Sequence, residues 1–276
     1  MLKQRIATAI VLLTALLSAV FLLPTRQFAI AVAVIVALGA FEWAALAKVS
    51  RASRYSFAAF CTVLFGIVIW AFQAIDPSRP EVAAMHGLSA FFWIVVAPLW
   101  LAHKWRMRST AAALGVGVGI VLPAGISVVS LHSIAPYALL MVLAFVWIAD
   151  IAAYFAGRTL GRHKLAPEIS PGKTWEGAAG ALVATVIYVI ICVMVSPQLN
   201  AIVRGGSWVL CFAVAALLCA VSIIGDLFES LIKRQSEVKD SGTLLPGHGG
   251  VLDRIDSITS TLPTAAFLFY LIAGGP

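Results

Sequence analysis

The sequence predicts an all-α fold, a polytopic membrane helical bundle of about nine transmembrane helices with a cytoplasmic N-terminus. Three observations lead there. Hydrophobic residues fill 62% of the 276 positions and charged residues only 11%, against roughly 45–50% and about 25% in soluble domains. A single soluble core would leave much of this apolar surface in water, so the solvent must be lipid. Apolar runs close to the ~20 residues needed to cross a bilayer recur along the whole chain. Finally, Lys and Arg are divided unevenly between alternate loops.

The runs cover residues 6–23, 28–47, 56–75, 87–102, 110–130, 135–156, 175–196, 207–228 and 257–273. The first resembles a signal peptide, but its apolar stretch from Ile6 to Leu23 exceeds the usual h-region of about 7–15 residues. No small-residue cleavage site follows it, so an uncleaved first helix is expected. Backbone polar groups in lipid must be satisfied within each segment, and these lengths suit helices rather than barrel strands. With nine spans, the N-terminus and loops 2–3, 4–5, 6–7 and 8–9 lie on one side and carry 16 of the 19 Lys and Arg residues. Arg26, Arg79 and Arg204 are the three on the opposite side. Cytoplasmic loops are the ones enriched in Lys and Arg, so the N-terminus is expected inside and the C-terminus outside. Residues 1–134 then form helices one to five, and residues 135–276 form helices six to nine with the loops that carry chemistry.

A net charge of +7 raises nucleic acid as a partner. The cations are scattered in short interhelical loops, with no basic stripe interleaved with aromatics, and nucleic-acid binding is excluded on that ground. Cys61, Cys192, Cys211 and Cys219 all lie in apolar runs without a CxxC pair, so neither a disulfide framework nor a zinc site is expected. Gly115, Gly117 and Gly119, like Gly177 and Gly180, read as close helix packing. Trp43, Trp70, Trp93, Trp100 and Trp105 read as interface anchors.

Nine of the twelve acidic residues fall between Asp150 and Asp256. Several sit within or beside apolar segments, where an Asp costs roughly 2.5–3.5 kcal/mol at a helix centre and therefore suggests function. Asp150 shares a helical face with Tyr154 and Gly157; its structural alternative is a helix-end acid paired with Arg158 or Arg162. Asp226, Ser230 and Lys233 form one stripe if their helix continues past residue 228. A carboxylate, a hydroxyl and an ammonium on one face suit a metal meeting a phosphate, where the bland reading is an intrahelical salt bridge.

The following segment, KDSGTLLPGHGGVLDRID, carries Gly242, Gly247, Gly249 and Gly250 ahead of Asp253, Arg254 and Asp256. Such glycines allow backbone N–H groups to approach phosphate oxygens, and His248 reads equally as a ligand contact or a turn residue. Hard cations such as Mg2+ use one or two carboxylates plus substrate phosphates, so Asp226 and Asp253 are expected to share one. The 6–7 loop contains Gly172–Lys173–Thr174, but Pro167 stands where a P-loop requires glycine. Lys164, Lys173 and Thr174 remain candidates for phosphate contact, with a purely topological role for the cations as the alternative. Pro171 and Gly172 suggest a tight re-entry into helix seven. These features together predict metal-dependent chemistry on a phosphate-bearing substrate at the cytoplasmic face.

The run Ser230–Leu–Ile–Lys233–Arg234, then Lys239–Asp240, then Pro246–Gly–His248–Gly249–Gly250–Val–Leu–Asp253–Arg254–Ile–Asp256 resembles the signature of phosphatidate cytidylyltransferases, also called CDP-diacylglycerol synthases. The stretch from Asp150 through HKLAPEISPGKTWEG is similar to the family's second hallmark region. The resemblance covers roughly the C-terminal 130 residues. It implies transfer of CMP from CTP to phosphatidic acid with Mg2+, giving CDP-diacylglycerol and pyrophosphate. It also implies Asp226 and Asp253 as metal ligands, with Ser230 and Lys233 as functional hydroxyl and lysine. Some members use a monovalent cation such as K+ beside Mg2+, and some are homodimers. Lys233, Lys239 and Arg254 would then stabilise charge on the lipid phosphate or departing pyrophosphate. Asp150, Asp240, Glu229 and Asp256 would serve a second cation or orient the lysines. The implied setting is the cell (inner) membrane. Two alternatives stay open: another CTP-dependent membrane lipid enzyme, of the polyprenol or phytol kinase type, and an ion-coupled transporter.

Overall fold

The computed structural model describes residues 2–71, 76, 79–197, 199–200, 208–244 and 249–272, with side chains from residue 8 onward. The helices are α1 (Leu2–Leu22), α2 (Thr25–Leu46), α3 (Arg51–Ala71), α4 (Pro80–His103), α5 (Thr110–Ile134), α6 (Pro136–Leu160), α7 (Trp175–Val195), α8 (Trp208–Gln235) and α9 (Leu252–Ile272). Among the described residues, the eight from α2 to α9 are long and apolar enough to cross a membrane, and α1 adds the shorter apolar helix Thr8–Leu22. This is a multi-pass membrane bundle. Its outward faces carry large apolar side chains such as Leu22, Ile30, Trp70, Leu88 and Met194, the arrangement expected where lipid is the solvent.

The helix ends follow local chemistry. Pro80 and Pro136 occupy the first turns of α4 and α6, where their missing N–H groups cost nothing. Ser109 and Thr174 cap α5 and α7, accepting from the Ala112 and Gly177 amides at 3.0 and 3.1 Å, and such caps contribute about 1 kcal/mol each. A π-helical turn at Phe92–Val96 interrupts α4. The four cysteines are free thiols, Cys61 and Cys219 buried and Cys192 and Cys211 half-buried.

Three differences from the sequence expectation bear on the site. Helix α8 runs to Gln235 rather than residue 228, so Asp226, Ser230 and Lys233 share one continuous helix. Helix α9 begins at Leu252 rather than residue 257, which moves Asp253 and Asp256 from a loop into its first turns. The 6–7 connection forms an antiparallel hairpin, β1 (Lys164–Ala166) and β2 (Ser170–Thr174), rather than a bare re-entry.

Close packing is confined to particular glycines. A Cβ on Gly177 would lie 2.9 Å from the Ala153 carbonyl oxygen and 3.4 Å from the Gly157 Cα, so α6 and α7 touch backbone to backbone. Gly225 does the same for α8 and α9, where a Cβ would lie 2.8 Å from the Asp256 carbonyl oxygen. Ser260 adds a bond from its hydroxyl to the Val221 carbonyl at 2.9 Å. In α5, Gly117 faces the Trp43 ring, whereas Gly115 and Gly119 face open space and need no packing explanation. Trp43 and Trp93 are core residues rather than interface anchors, because both are almost fully buried. The Trp43 indole N–H donates to the Ala113 carbonyl at 2.8 Å.

Candidate active site

The α6–α7 hairpin and the facing stretches of α6, α7, α8 and α9 surround a cavity of about 650 Å³. Helix α6 lines it with Asp150, Tyr154 and Gly157, β2 with Lys173, and α8 and α9 with Asp226, Asp253, Arg254 and Asp256. The face Asp150–Tyr154–Gly157 therefore points where its spacing placed it. Arg158 donates to the Tyr154 hydroxyl at 2.7 Å, so the guanidinium braces the cavity wall.

Both lysines bridge chain segments, and Lys233 also pairs along its own helix with Glu229. Lys173 Nζ lies 2.7 Å from Asp226 Oδ2, joining the hairpin to α8. Ser230 donates its hydroxyl to Asp226 Oδ1 at 3.3 Å. Lys233 lies between Glu229 Oε1 at 3.1 Å and Asp253 Oδ1 at 2.7 Å. The predicted stripe thus holds for Asp226 and Ser230, while Lys233 turns to the first turn of α9. A simple intrahelical bridge from Asp226 is excluded, because its ammonium partner comes from β2.

Asp253 is clasped on both oxygens. Its Oδ2 accepts from the Ser241 amide at 2.9 Å, the Ser241 hydroxyl at 3.1 Å and the Gly250 amide at 2.8 Å. The Gly-rich segment was expected to offer its N–H groups to phosphate. At Gly250 the amide is already taken by the Asp253 carboxylate, in the first turn of α9. Gly249 sets the turn, with φ +82° and a position where a Cβ would lie 2.8 Å from Asp253 Oδ2. Gly249→Ala is expected to cost about 1–2 kcal/mol for the left-handed conformation alone, read as roughly tenfold faster amide exchange at Gly250.

The remaining predicted residues divide as follows. Thr174 lines the cavity, but its hydroxyl is committed to capping α7. Lys164 is exposed on β1 and does not line the cavity; the antiparallel register turns Lys173, not Lys164, toward α8. Lys239 and Asp240 are exposed on the α8–α9 connection, also away from the cavity lining. His248 lies outside the described residues.

Carboxylate oxygens are hard donors suited to Mg2+. A carboxylate offers about four lone-pair sites, and the bonds above leave sites on Asp226 Oδ1 and Asp253 Oδ1. Among the described residues no three acids, histidines or cysteines form a ready-made metal cluster. An Mg2+ ion held by one or two carboxylates and completed by substrate phosphates needs no such cluster. The donor set therefore fits the group.

One acid escaped the sequence reading. Glu42, near the end of α2, is 2% exposed and accepts from the Val251 and Leu252 amides, each at 2.9 Å, and the Ser241 hydroxyl at 2.8 Å. Its signal was visible: it is the sole acidic residue before Asp76, inside an apolar run, where an acid suggests function.

The chain is also similar to known proteins over nearly its whole length. The profile of the cytidylyltransferase family matches residues 3–272. The phosphatidate cytidylyltransferase of Pseudomonas aeruginosa is 39% identical over 288 residues, covering 100% of this chain and 99% of that protein. The Haemophilus influenzae phosphatidate cytidylyltransferase is 34% identical over 293 residues, covering 99% and 100%. The Bacillus subtilis protein of the same name is 43% identical over 128 residues, 46% of this chain and 44% of its own. With an acid-lined cavity in a membrane bundle and a family match over almost its full length, the chain belongs to the cytidylyltransferase family.

Proposed function

We infer that this enzyme transfers CMP from CTP to phosphatidic acid, producing CDP-diacylglycerol and pyrophosphate for phospholipid synthesis. The observation that carries the reading is the convergence of Asp150, Asp226, Asp253 and Asp256 with Lys173 and Arg254 on one cavity, in a chain similar over its full length to phosphatidate cytidylyltransferases. In this reaction a phosphatidate oxygen bonds to the α-phosphorus of CTP and the bond to the β-phosphate oxygen breaks. The attacking oxygen is already anionic, so no strong general base is needed, and catalysis is mainly positioning and charge stabilisation.

The proposed roles follow the geometry. Asp226 and Asp253 would hold Mg2+, with Asp150 and Asp256 serving a second cation such as K+. Bound Mg2+ supplies Lewis-acid polarisation of a phosphate oxygen. Lys173 and Ser230 hold the Asp226 carboxylate from its two sides, and Lys233 holds Asp253. Arg254, on the cavity wall, would receive charge on the lipid phosphate or pyrophosphate. Lys239 belongs to the same proposal only if substrate draws its loop inward. The excess of Lys and Arg in the loops on the side of the 6–7 connection supports a cytoplasmic site in the inner membrane, where CTP is supplied from solution and the lipid from the leaflet.

Purified protein incubated with phosphatidic acid, labelled CTP and Mg2+ is expected to release pyrophosphate and label CDP-diacylglycerol. Absence of both in a folded preparation overturns the reading. Release of CDP with a phosphorylated polyprenol or phytol would mark a lipid kinase instead.

A further inference from the structure

Glu42 lies on α2, far in sequence from the residues assigned to the reaction, yet its carboxylate forms the floor of the Gly-rich loop. The first N–H groups of a helix have no partner within it, and a carboxylate there also meets the positive end of the helix dipole. Glu42 fills that place for α9. Its Oε1 takes the Val251 amide, and its Oε2 takes the Leu252 amide and the Ser241 hydroxyl. Asp253 is the next residue, and the same Ser241 hydroxyl reaches its Oδ2. One hydroxyl proton thus serves two carboxylates, joining Glu42 to Asp253 through a single side chain.

The loop is shaped around this acid. A Cβ on Gly242 would meet the Glu42 carboxyl carbon at 2.9 Å, and one on Gly250 would meet the same atom at 2.7 Å. These two glycines are therefore required by Glu42's approach rather than by a phosphate. Neighbouring ties fix the end of α2 from which it projects. The Ser236 hydroxyl donates to the Leu46 carbonyl at 2.7 Å, and the Trp43 indole holds Ala113.

We propose that Glu42 is a positioning residue for the reaction: by holding the Val251 and Leu252 amides and Ser241, it aims the Asp253 carboxylate at the cavity. This assignment rests on the cytidylyltransferase reading only for its kinetic consequence, since the clasp itself is independent of substrate. Glu42→Gln keeps the size of the side chain but turns an NH2 toward an amide donor on one side. It is expected to speed amide exchange across residues 249–253. It should also raise the Mg2+ concentration for half-maximal activity about 10–100-fold, as loss of a group that orients a metal ligand does. Ser241→Ala removes the shared hydroxyl alone and should shift both readouts in the same direction by less.

Lower thermal stability with unchanged Mg2+ half-activation would show a merely structural role and overturn the proposal. So would unaltered exchange at residues 249–253. If Glu42→Gln does not fold, Ser241→Ala carries the test, and wild-type values for both its readouts overturn the proposal. If the wild-type protein makes no CDP-diacylglycerol, the function falls while exchange still decides the clasp.

Discussion

Asp253→Asn is expected to lower turnover by about a thousandfold, the upper range for losing one preorganised charged contact, with the deficit deepest at limiting Mg2+. The cause lies in how Asp253 divides its oxygens. Oδ2 faces the Ser241 and Gly250 amides and the Ser241 hydroxyl, all donors, while Oδ1 faces the Lys233 ammonium. An asparagine has one acceptor oxygen and one NH2. Its oxygen will go to the loop amides, leaving the NH2 against the ammonium. The loop then stays closed while the cation-facing edge loses its charge. Activity measured across a Mg2+ titration separates this from simple unfolding. Wild-type activity at limiting Mg2+ would remove Asp253 from the metal role.

Replacing Lys233 by methionine is expected to abolish detectable turnover and to destabilise the fold by about 3–5 kcal/mol, the usual cost of stranding buried charge. The side chains of Glu229 and Asp253 are only 7% and 6% exposed, so water cannot replace the missing ammonium. Lys233→Arg is not expected to restore activity, because a planar fork does not reproduce a point charge between two carboxylates. Adding Glu229→Gln to Lys233→Met should recover part of the stability without recovering turnover, as contacting residues are not additive. Thermal unfolding and turnover measured on the two single variants and the double variant check this. Full recovery of activity in the double variant would make Lys233 a structural counter-ion only.

The broad architecture was legible because lipid imposes a one-dimensional rule. A span must be apolar over a fixed length and must satisfy its own backbone, so helix positions could be read from runs of residues. Their ends were less legible. Helix α8 continues through DLFESLIKRQ and α9 starts at Leu252, because helical bonding persists into polar sequence once charges find partners. Asp150, Asp226, Asp253 and Asp256 stood out as acids in apolar surroundings, and all four line the cavity. Lys164 and Lys239 were indistinguishable from Lys173 by sequence, since a cation in a short loop carries no sign of where it points.

Composition, run length and charge asymmetry by themselves determined a membrane helical bundle, and the crowding of acids marked the region that lines its cavity. These are local properties, each readable from consecutive residues. Pairing was decided only by tertiary structure. Lys173 rather than Lys233 meets Asp226, and Lys233 is drawn instead to Asp253. Glu42 reaches 209 positions along the chain to the Val251 amide. No periodicity encodes such contacts, because they depend on which helix ends the bundle brings together and which buried charges must find partners there.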